Sequence, residues 1–237
     1  YKIIKIKKID YRNKDFYTSY FLNKKDNFPF IDAKIAISKN FLTINKKNKW
    51  ITNYRSRKVS HLIRSKYDCI ISTSKSINLD NSLLNCRING LNNNKPDLII
   101  IDRFLKLKKS VKLLKIANKR KTYVLTCSNN KKKIIFFKKK DIKIIKINKL
   151  IEKKDFIFLL KKIYKLGKTR ILVECGLKFL QEILKLNLIN KLYIFRSNKL
   201  LNKNGYRKFK STYIGECKEK NRINVNLANE ELFSIKI

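Results

Sequence analysis

Methionine is absent from these 237 residues, histidine occurs once, proline twice and glycine only five times. Each scarcity excludes something. No G-x-G-x-x-G or G-x-x-x-x-G-K-[ST] run occurs, so the standard Rossmann and Walker phosphate loops are out. The single His61 and five cysteines (Cys69, Cys86, Cys127, Cys175, Cys217), with no C-x-x-C pair, argue against a Cys/His zinc site, and no metal is expected. His61 falls mid-helix with no strong partner in sequence. It reads as a surface or boundary residue, and nothing points to a Ser/His/Asp or Cys/His set. No uncharged apolar run approaches the roughly 18–20 residues of a membrane span, and there is no secretory signal. Free thiols then fit a reducing, cytoplasmic setting. The chain opens at Tyr1 with no Met, which suggests a piece of something longer.

Acidic residues are also few. There are 17 Asp and Glu against 59 Lys and Arg, a formal net charge of +42. Such an excess suggests a nucleic-acid binder. The lysines are spread along the whole chain, however, rather than gathered in a stripe or tail. Lys, Asn and Ile dominate together, as an AT-rich coding bias would produce. The charge is therefore read mainly as background that attracts polyanions, and specific nucleic-acid binding is not expected.

The stretch Thr169 to Leu180 organises the rest. Ile171-Leu172-Val173 reads as a strand buried on both faces, and Leu177, Phe179, Leu180, Ile183 and Leu184 recur at helical spacing. A helix beginning near Gly176 can offer its first N–H groups to a phosphate, with Glu174 at the strand's carboxyl edge. An ordinary β-turn-α corner with a surface Glu is the plain alternative.

Earlier in the chain, residues 2–9 suggest an edge strand and 11–20 a short helix. A strand carrying Lys34 runs from Phe30 to about Ser38, and 38–49 is a polar loop. Thr52 is placed to cap a helix over 53–66. Strands follow at 68–73, 98–102, 122–127, 134–137, 142–147 and 192–195, with a helical turn after Ser74. Residues 89–96 form an Asn-rich connector. A helix from Phe156 to Tyr164 ends at Gly167. Residues 198–210 read as a basic loop, and 211–217, 222–227 and 232–236 as terminal strands. Strands alternating with helices, then a strand-rich end, predict an α/β sheet that is mainly parallel with an antiparallel edge.

Four runs, taken in order, resemble one family. They are Lys34 with Asn48-Lys49-Trp50-Ile51-Thr52 and Arg64; Ser76 to Arg87; Ile100-Ile101-Asp102; and Val173-Glu174-Cys175-Gly176 with Leu188 to Leu192 and Lys199-Leu200-Leu201 downstream. They are similar to the S-K-W-I-T, T-V-L-A-D-D-P-x-L-T-x-R, V-x-D-S/R, V-E-G-G-x-x-L, L-V-D-E-L and P-K-L-L-G patterns of the reductase half of the bifunctional riboflavin-biosynthesis deaminase/reductase. The likeness covers about residues 28–215. Ser38-Lys39-Asn40-Phe41 stands where that family has S-L-D-G, and Cys175 where it has the first Gly of a pair. Where such a glycine serves a positive φ, any other residue costs about 1 kcal/mol or more.

The resemblance implies a dihydrofolate-reductase-like α/β fold, with a mainly parallel central sheet, helices on both faces and an antiparallel C-terminal edge, usually dimeric. It implies a reductase domain over 28–237, with 1–27 a linker or the remnant of a preceding deaminase domain. The implied reaction is NADPH-dependent reduction of the phosphorylated pyrimidine 5-amino-6-(5-phosphoribosylamino)uracil, with hydride going to C1′ of the ring-opened sugar. By position, Asn48, Arg64, Leu84, Arg87 and Glu174 would meet the substrate. Ala36, Trp50, Ser76, Asp80, Arg103, Gly176, Leu177 and Lys178 would meet NADPH. Lys34 and Glu174 would be catalytic, polarising the open sugar or handling a proton, and Arg64 and Arg87 would fork the phosphate. The zinc-deaminase signature, H-x-E with P-C-x-x-C, is absent. A basic nucleic-acid-binding protein and a non-catalytic member of the family are the alternatives.

Overall fold

The apolar runs become the strands of one sheet. In the computed structural model, which describes residues 14–48, 50–91, 96–210 and 212–237 with side chains from residue 17 onward, that sheet has eight strands. They are β1 (Phe30–Ile37), β3 (Cys69–Thr73), β4 (Asp97–Ile101), β5 (Thr122–Thr126), β6 (Ile142–Lys146), β7 (Arg170–Val173), β8 (Lys191–Arg196) and β10 (Glu231–Lys236). Their order is β10-β8-β1-β7-β3-β4-β5-β6. Every pairing is parallel except that of β10 with β8, so the mainly parallel sheet with an antiparallel C-terminal edge is as the sequence predicts.

Alternation along the strands divides the core into two layers. Ile71, Ile99 and Val173 pack with Phe156, Leu160 and Ile163 of helix α5 (Lys153–Lys165) and Leu180 and Leu184 of α6 (Leu177–Lys185). Ile70, Leu98, Ile100 and Leu172 face the other way, against Ile63 of α2 (Tyr54–Arg64), Ile77 of α3 (Ser74–Asp80) and Phe137 of α4 (Lys131–Lys138). Helices thus cover both faces, which is why these strands read as unbroken apolar runs. Among the described residues, no helix is long and apolar enough to cross a membrane.

The helix ends follow their local chemistry. Gly167 takes φ +79° just past α5, where an L side chain would be strained, as its C-terminal position predicts. α2 is capped one residue later than Thr52: the Asn53 side chain accepts the Ser56 N–H at 3.0 Å. Asn53 also donates to the Leu227 carbonyl at 2.6 Å, and its N–H reaches the buried Glu230 carboxylate at 3.0 Å. Those two contacts tie the start of α2 to the approach to β10.

Several expectations need correction. Residues 134–137 are not a strand but part of α4. Asn130 caps the Lys133 N–H there at 3.0 Å, and only Phe137 of this run is buried while Ile135 stays exposed. The polar loops at 38–49 and 198–210 hold two short strands, β2 (Leu42–Asn45) and β9 (Gly205–Lys208), paired antiparallel in a separate two-stranded sheet. Gly205 allows this close approach, because a Cβ there would run into Leu42 and Leu201. Residues 212–214 form a 3-10 turn rather than a strand, and 222–227 touches β10 through a single bridge, Arg222 to Phe233. The helix expected at 11–20 is described as α1 (Lys14–Asp26), whose earlier residues, with the strand expected at 2–9 and part of the 89–96 connector, lie outside the described residues.

Candidate active site

β1 and β7 are neighbours, with Ala33 opposite Val173. One step further along each strand stand Lys34 and Glu174, on the carboxyl edge where open α/β sheets bind ligands. Lys34 Nζ lies 3.4 Å from Glu174 Oε2. Arg64, the last residue of α2, reaches the same carboxylate with Nε 2.5 Å from Oε1 and Nη2 2.9 Å from Oε2. Glu174 is buried, and burial alone would raise its pKa. Arg64 and then Lys34 outweigh that and bring it down to about 2. It is a fixed carboxylate at neutral pH.

This trio forms the floor of a cleft of about 1340 Å³. Lys34, Ala36, Trp50, Arg64, Ser76, Asp80, Leu84, Arg87, Glu174, Gly176, Leu177 and Lys178 all line it. Thirteen distinct residues were expected to meet substrate or cofactor besides Lys34, and two of these are not on the cleft wall. Asn48 is exposed on the turn after β2, and Arg103 follows β4, its guanidinium 5.4 Å from the Phe104 ring. Arg64 has committed its fork to Glu174. Arg87, by contrast, is exposed, and among the described residues no carboxylate pairs with it, so its guanidinium is open to an anion.

Sequence reasoning missed several residues. His61, expected at the surface or its boundary, is buried at the boundary with the cleft, on the α2 face that carries Arg57, Ser60 and Arg64 there. Its Nδ1 lies 2.8 Å from the Asn85 carbonyl and its Nε2 3.1 Å from Arg87 Nη2. Those partners are a backbone oxygen and a residue on another loop, which leave no local sequence signal. Arg57 stacks on Trp50 at 4.8 Å, and Arg120 donates to the carbonyls of Leu83 and Leu84.

Part of the wall carries groups suited to phosphates. Gly176 caps α6 with no side-chain cap bond, and Gly176, Leu177 and Lys178 at the start of this helix all line the cleft, where helix N–H groups favour an anion. The Gly176 N–H donates to Ser76 Oγ at 2.7 Å, and a Cβ at this position would lie 3.1 Å from that oxygen. The starts of α3 and α6 are thus joined into one cradle that a larger residue would crowd. Among the described residues, the buried hydroxyls of Ser60 and Ser72, both on the cleft, have no hydrogen-bond partner and can take one from a ligand. The lost glycines behave differently from each other. Cys175 is not among the residues with positive φ and is unstrained, whereas Phe41 sits at φ 65°.

Comparisons with known proteins agree with this architecture. The family model of the RibD C-terminal domain matches residues 32–224. The riboflavin biosynthesis protein RibD of Buchnera aphidicola subsp. Baizongia pistaciae is 31% identical over 192 residues, covering 77% of this chain and 51% of the relative. The chain spans about half the length of the curated relatives it matches. Among solved structures, Acinetobacter baumannii RibD superposes with a TM-score of 0.74 at 17% identity, over 92% of this chain and 60% of that one. A Thermotoga maritima protein described as a diaminohydroxyphosphoribosylaminopyrimidine deaminase/5-amino-6-(5-phosphoribosylamino)uracil reductase gives 0.70 at 20% identity, over 92% and 59%. At these identities the structural likeness shows the fold, and the family follows from the sequence match: the chain belongs to the RibD C-terminal domain family.

Proposed function

We propose that this chain reduces 5-amino-6-(5-phosphoribosylamino)uracil to its ribitylamino product with NADPH, as a step of riboflavin biosynthesis. The observation that carries the reading is the Lys34–Glu174–Arg64 trio on the floor of a phosphate-ready cleft, in a chain of this family. The Thermotoga maritima protein, which the chain matches over 59% of its length, bears that reductase activity in its description.

The residues divide the work by chemistry. NADPH, when bound, supplies a hydride to C1′ of the ring-opened sugar. Ala36, Trp50, Ser76, Asp80 and the start of α6 from Gly176 to Lys178 would hold it, with the α6 N–H groups on its phosphates. Arg87 would take the substrate phosphate and Leu84 would pack against the substrate. With its pKa near 2, Glu174 does not donate a proton at neutral pH, so it acts as a fixed acceptor for sugar hydroxyls. Lys34, whose Nζ lies 3.4 Å from that carboxylate, would give the proton that the substrate nitrogen needs as the hydride arrives. The reading extends to a cytoplasmic homodimer working with a fused or separate deaminase, since the curated relatives are about twice as long.

The test is consumption of NADPH, and separately of NADH, with freshly deaminated substrate, for wild type, Glu174→Ala and Arg87→Ala. Turnover by wild type and its loss in both variants is the expected result. A folded wild type without turnover overturns the reaction, and equal rates in all three overturn the residue roles.

A further inference from the structure

His61 lies on the cleft wall, yet the reaction proposed above gives it no task. It is the only histidine in the chain, and its ring is engaged at both nitrogens. Nδ1 faces the Asn85 carbonyl at 2.8 Å. Arg64 Nη1 also stands 3.4 Å from Nδ1, but it has the same Asn85 carbonyl nearer, at 3.1 Å, to donate to. A carbonyl only accepts, so at the 2.8 Å contact Nδ1 carries the proton, and in a neutral ring Nε2 then holds the lone pair. Nε2 faces Arg87 Nη2 at 3.1 Å, and a guanidinium only donates. Both contacts are satisfied together only by the neutral, Nδ1-protonated tautomer. Asn85 closes the unit, because its side-chain oxygen accepts from Arg87 Nη1 at 3.1 Å.

The charged and titratable groups around the ring come from three places. Arg64 is on its own helix, Arg87 and Cys86 are on the loop after α3, and Glu174 directly follows β7. Burial, then Arg64, then Arg87 bring the imidazole pKa down to about 4, against the Asn85 hydrogen bond and Glu174. The ring is therefore uncharged at neutral pH, as the hydrogen-bond geometry requires.

We propose that His61 is a positioning residue, whose neutral imidazole accepts from Arg87 and aims that guanidinium across the cleft at a phosphate monoester. The assignment rests on the reading of a phosphorylated substrate. Its logic is that an arginine with no carboxylate partner is free to sample many rotamers, and ordering it on binding costs affinity. A carboxylate in the place of His61 would hold Arg87 but cancel its charge. An uncharged acceptor holds it and leaves the charge for the ligand.

A lone histidine makes the test direct. With 15N-histidine labelling, wild type should show the Nδ1–H pattern at neutral pH, and Arg87→Ala should raise the pH at which the ring titrates. Calorimetric titration with inorganic phosphate should show binding weakened about tenfold or more in Arg87→Ala and His61→Leu. His61→Gln, whose amide oxygen can replace Nε2, should stay within about threefold of wild type. His61→Asn reaches Asn85 but not Arg87, and serves as a second loss variant should His61→Leu not fold. An Nε2–H tautomer, or phosphate binding by the loss variants equal to wild type, overturns the proposal. Neither readout uses turnover, so a protein that passes both but reduces nothing overturns the reaction and leaves this role standing.

Discussion

Arg64 grips both oxygens of Glu174, Nε at 2.5 Å from Oε1 and Nη2 at 2.9 Å from Oε2, joining the end of α2 to the end of β7. The pair fixes the carboxylate's orientation and occupies two nitrogens of Arg64, so in the proposed reaction the substrate phosphate is assigned to Arg87.

Removing Arg64 leaves a buried carboxylate with, among the described residues, only Lys34 paired to it. Arg64→Met should cost about 3 kcal/mol in urea unfolding, because an uncompensated buried charge is worse than no pair at all. Arg64→Lys should recover little, since an ammonium cannot match two oxygens at once. A loss under about 1 kcal/mol in Arg64→Met would contradict the pairing.

Acid should weaken the protein in two stages. The folded pKa of His61, about 4, lies below its ordinary 6.5, so the unfolded chain takes up the proton first. Its contribution is full above pH 6.5 and is lost as the pH falls toward 4. Glu174, near 2 when folded against an ordinary 4.5, contributes fully above pH 4.5 and loses that contribution as the pH falls through 2. The second stage is worth roughly 3 kcal/mol. Urea midpoints followed from neutral to acid pH should show both slopes, with His61→Gln removing the first and Glu174→Gln the second. A flat wild-type profile between pH 6.5 and 4 would rule out the first.

The two residues after Glu174 should respond in opposite ways to exchange. Cys175→Gly should not improve cofactor binding, because Cys175 has no positive φ to relieve, and it should cost about 1 kcal/mol through backbone freedom and lost packing. Gly176→Ala should leave the melting temperature nearly unchanged, since Gly176 has φ −68°, but should raise the KM for NADPH by crowding Ser76. Melting curves and cofactor titrations on both variants separate the effects.

How much of this was legible in the sequence depended on the range of the interactions. The buried parallel strands were readable because both faces are covered, and Gly167 and Gly176 marked helix ends by their own geometry. The run 134–137 misled because four apolar residues fit either a buried strand or one face of a short helix, and Asn130 decided the matter through a single cap. The β2–β9 pair stayed hidden because its strands are short, partly exposed and far apart in the chain. Lys34, Arg64, Arg87 and Glu174 came from motif order. His61 did not, since what defines it is a carbonyl and a guanidinium on another loop.

Arg120 offers a test of how the substrate loop is held. Its buried guanidinium donates to the carbonyls of Leu83, Leu84 and Pro96, and burial, with Arg64 nearby, lowers its pKa to about 10. Leu84 sits at φ 49°, a conformation leucine adopts only when its surroundings impose it. Arg120→Met should cost about 2 kcal/mol and raise the KM for substrate while changing kcat little. A lower kcat at unchanged KM would show that the loop is held by something else.

The place of β1 in the sheet bears on how the protein is made. Among the described residues it pairs only with β7 and β8, with Phe30 opposite Arg170 and Asp32 opposite Lys191. On a ribosome adding about 5–20 residues per second, this inner strand waits roughly seven to twenty-seven seconds for its first neighbour. Throughout that interval an apolar segment has both hydrogen-bonding edges bare, a template for pairing with another nascent chain. The yield of soluble protein should then follow the supply of chaperones that shield such edges more closely than it follows the stability of the finished fold.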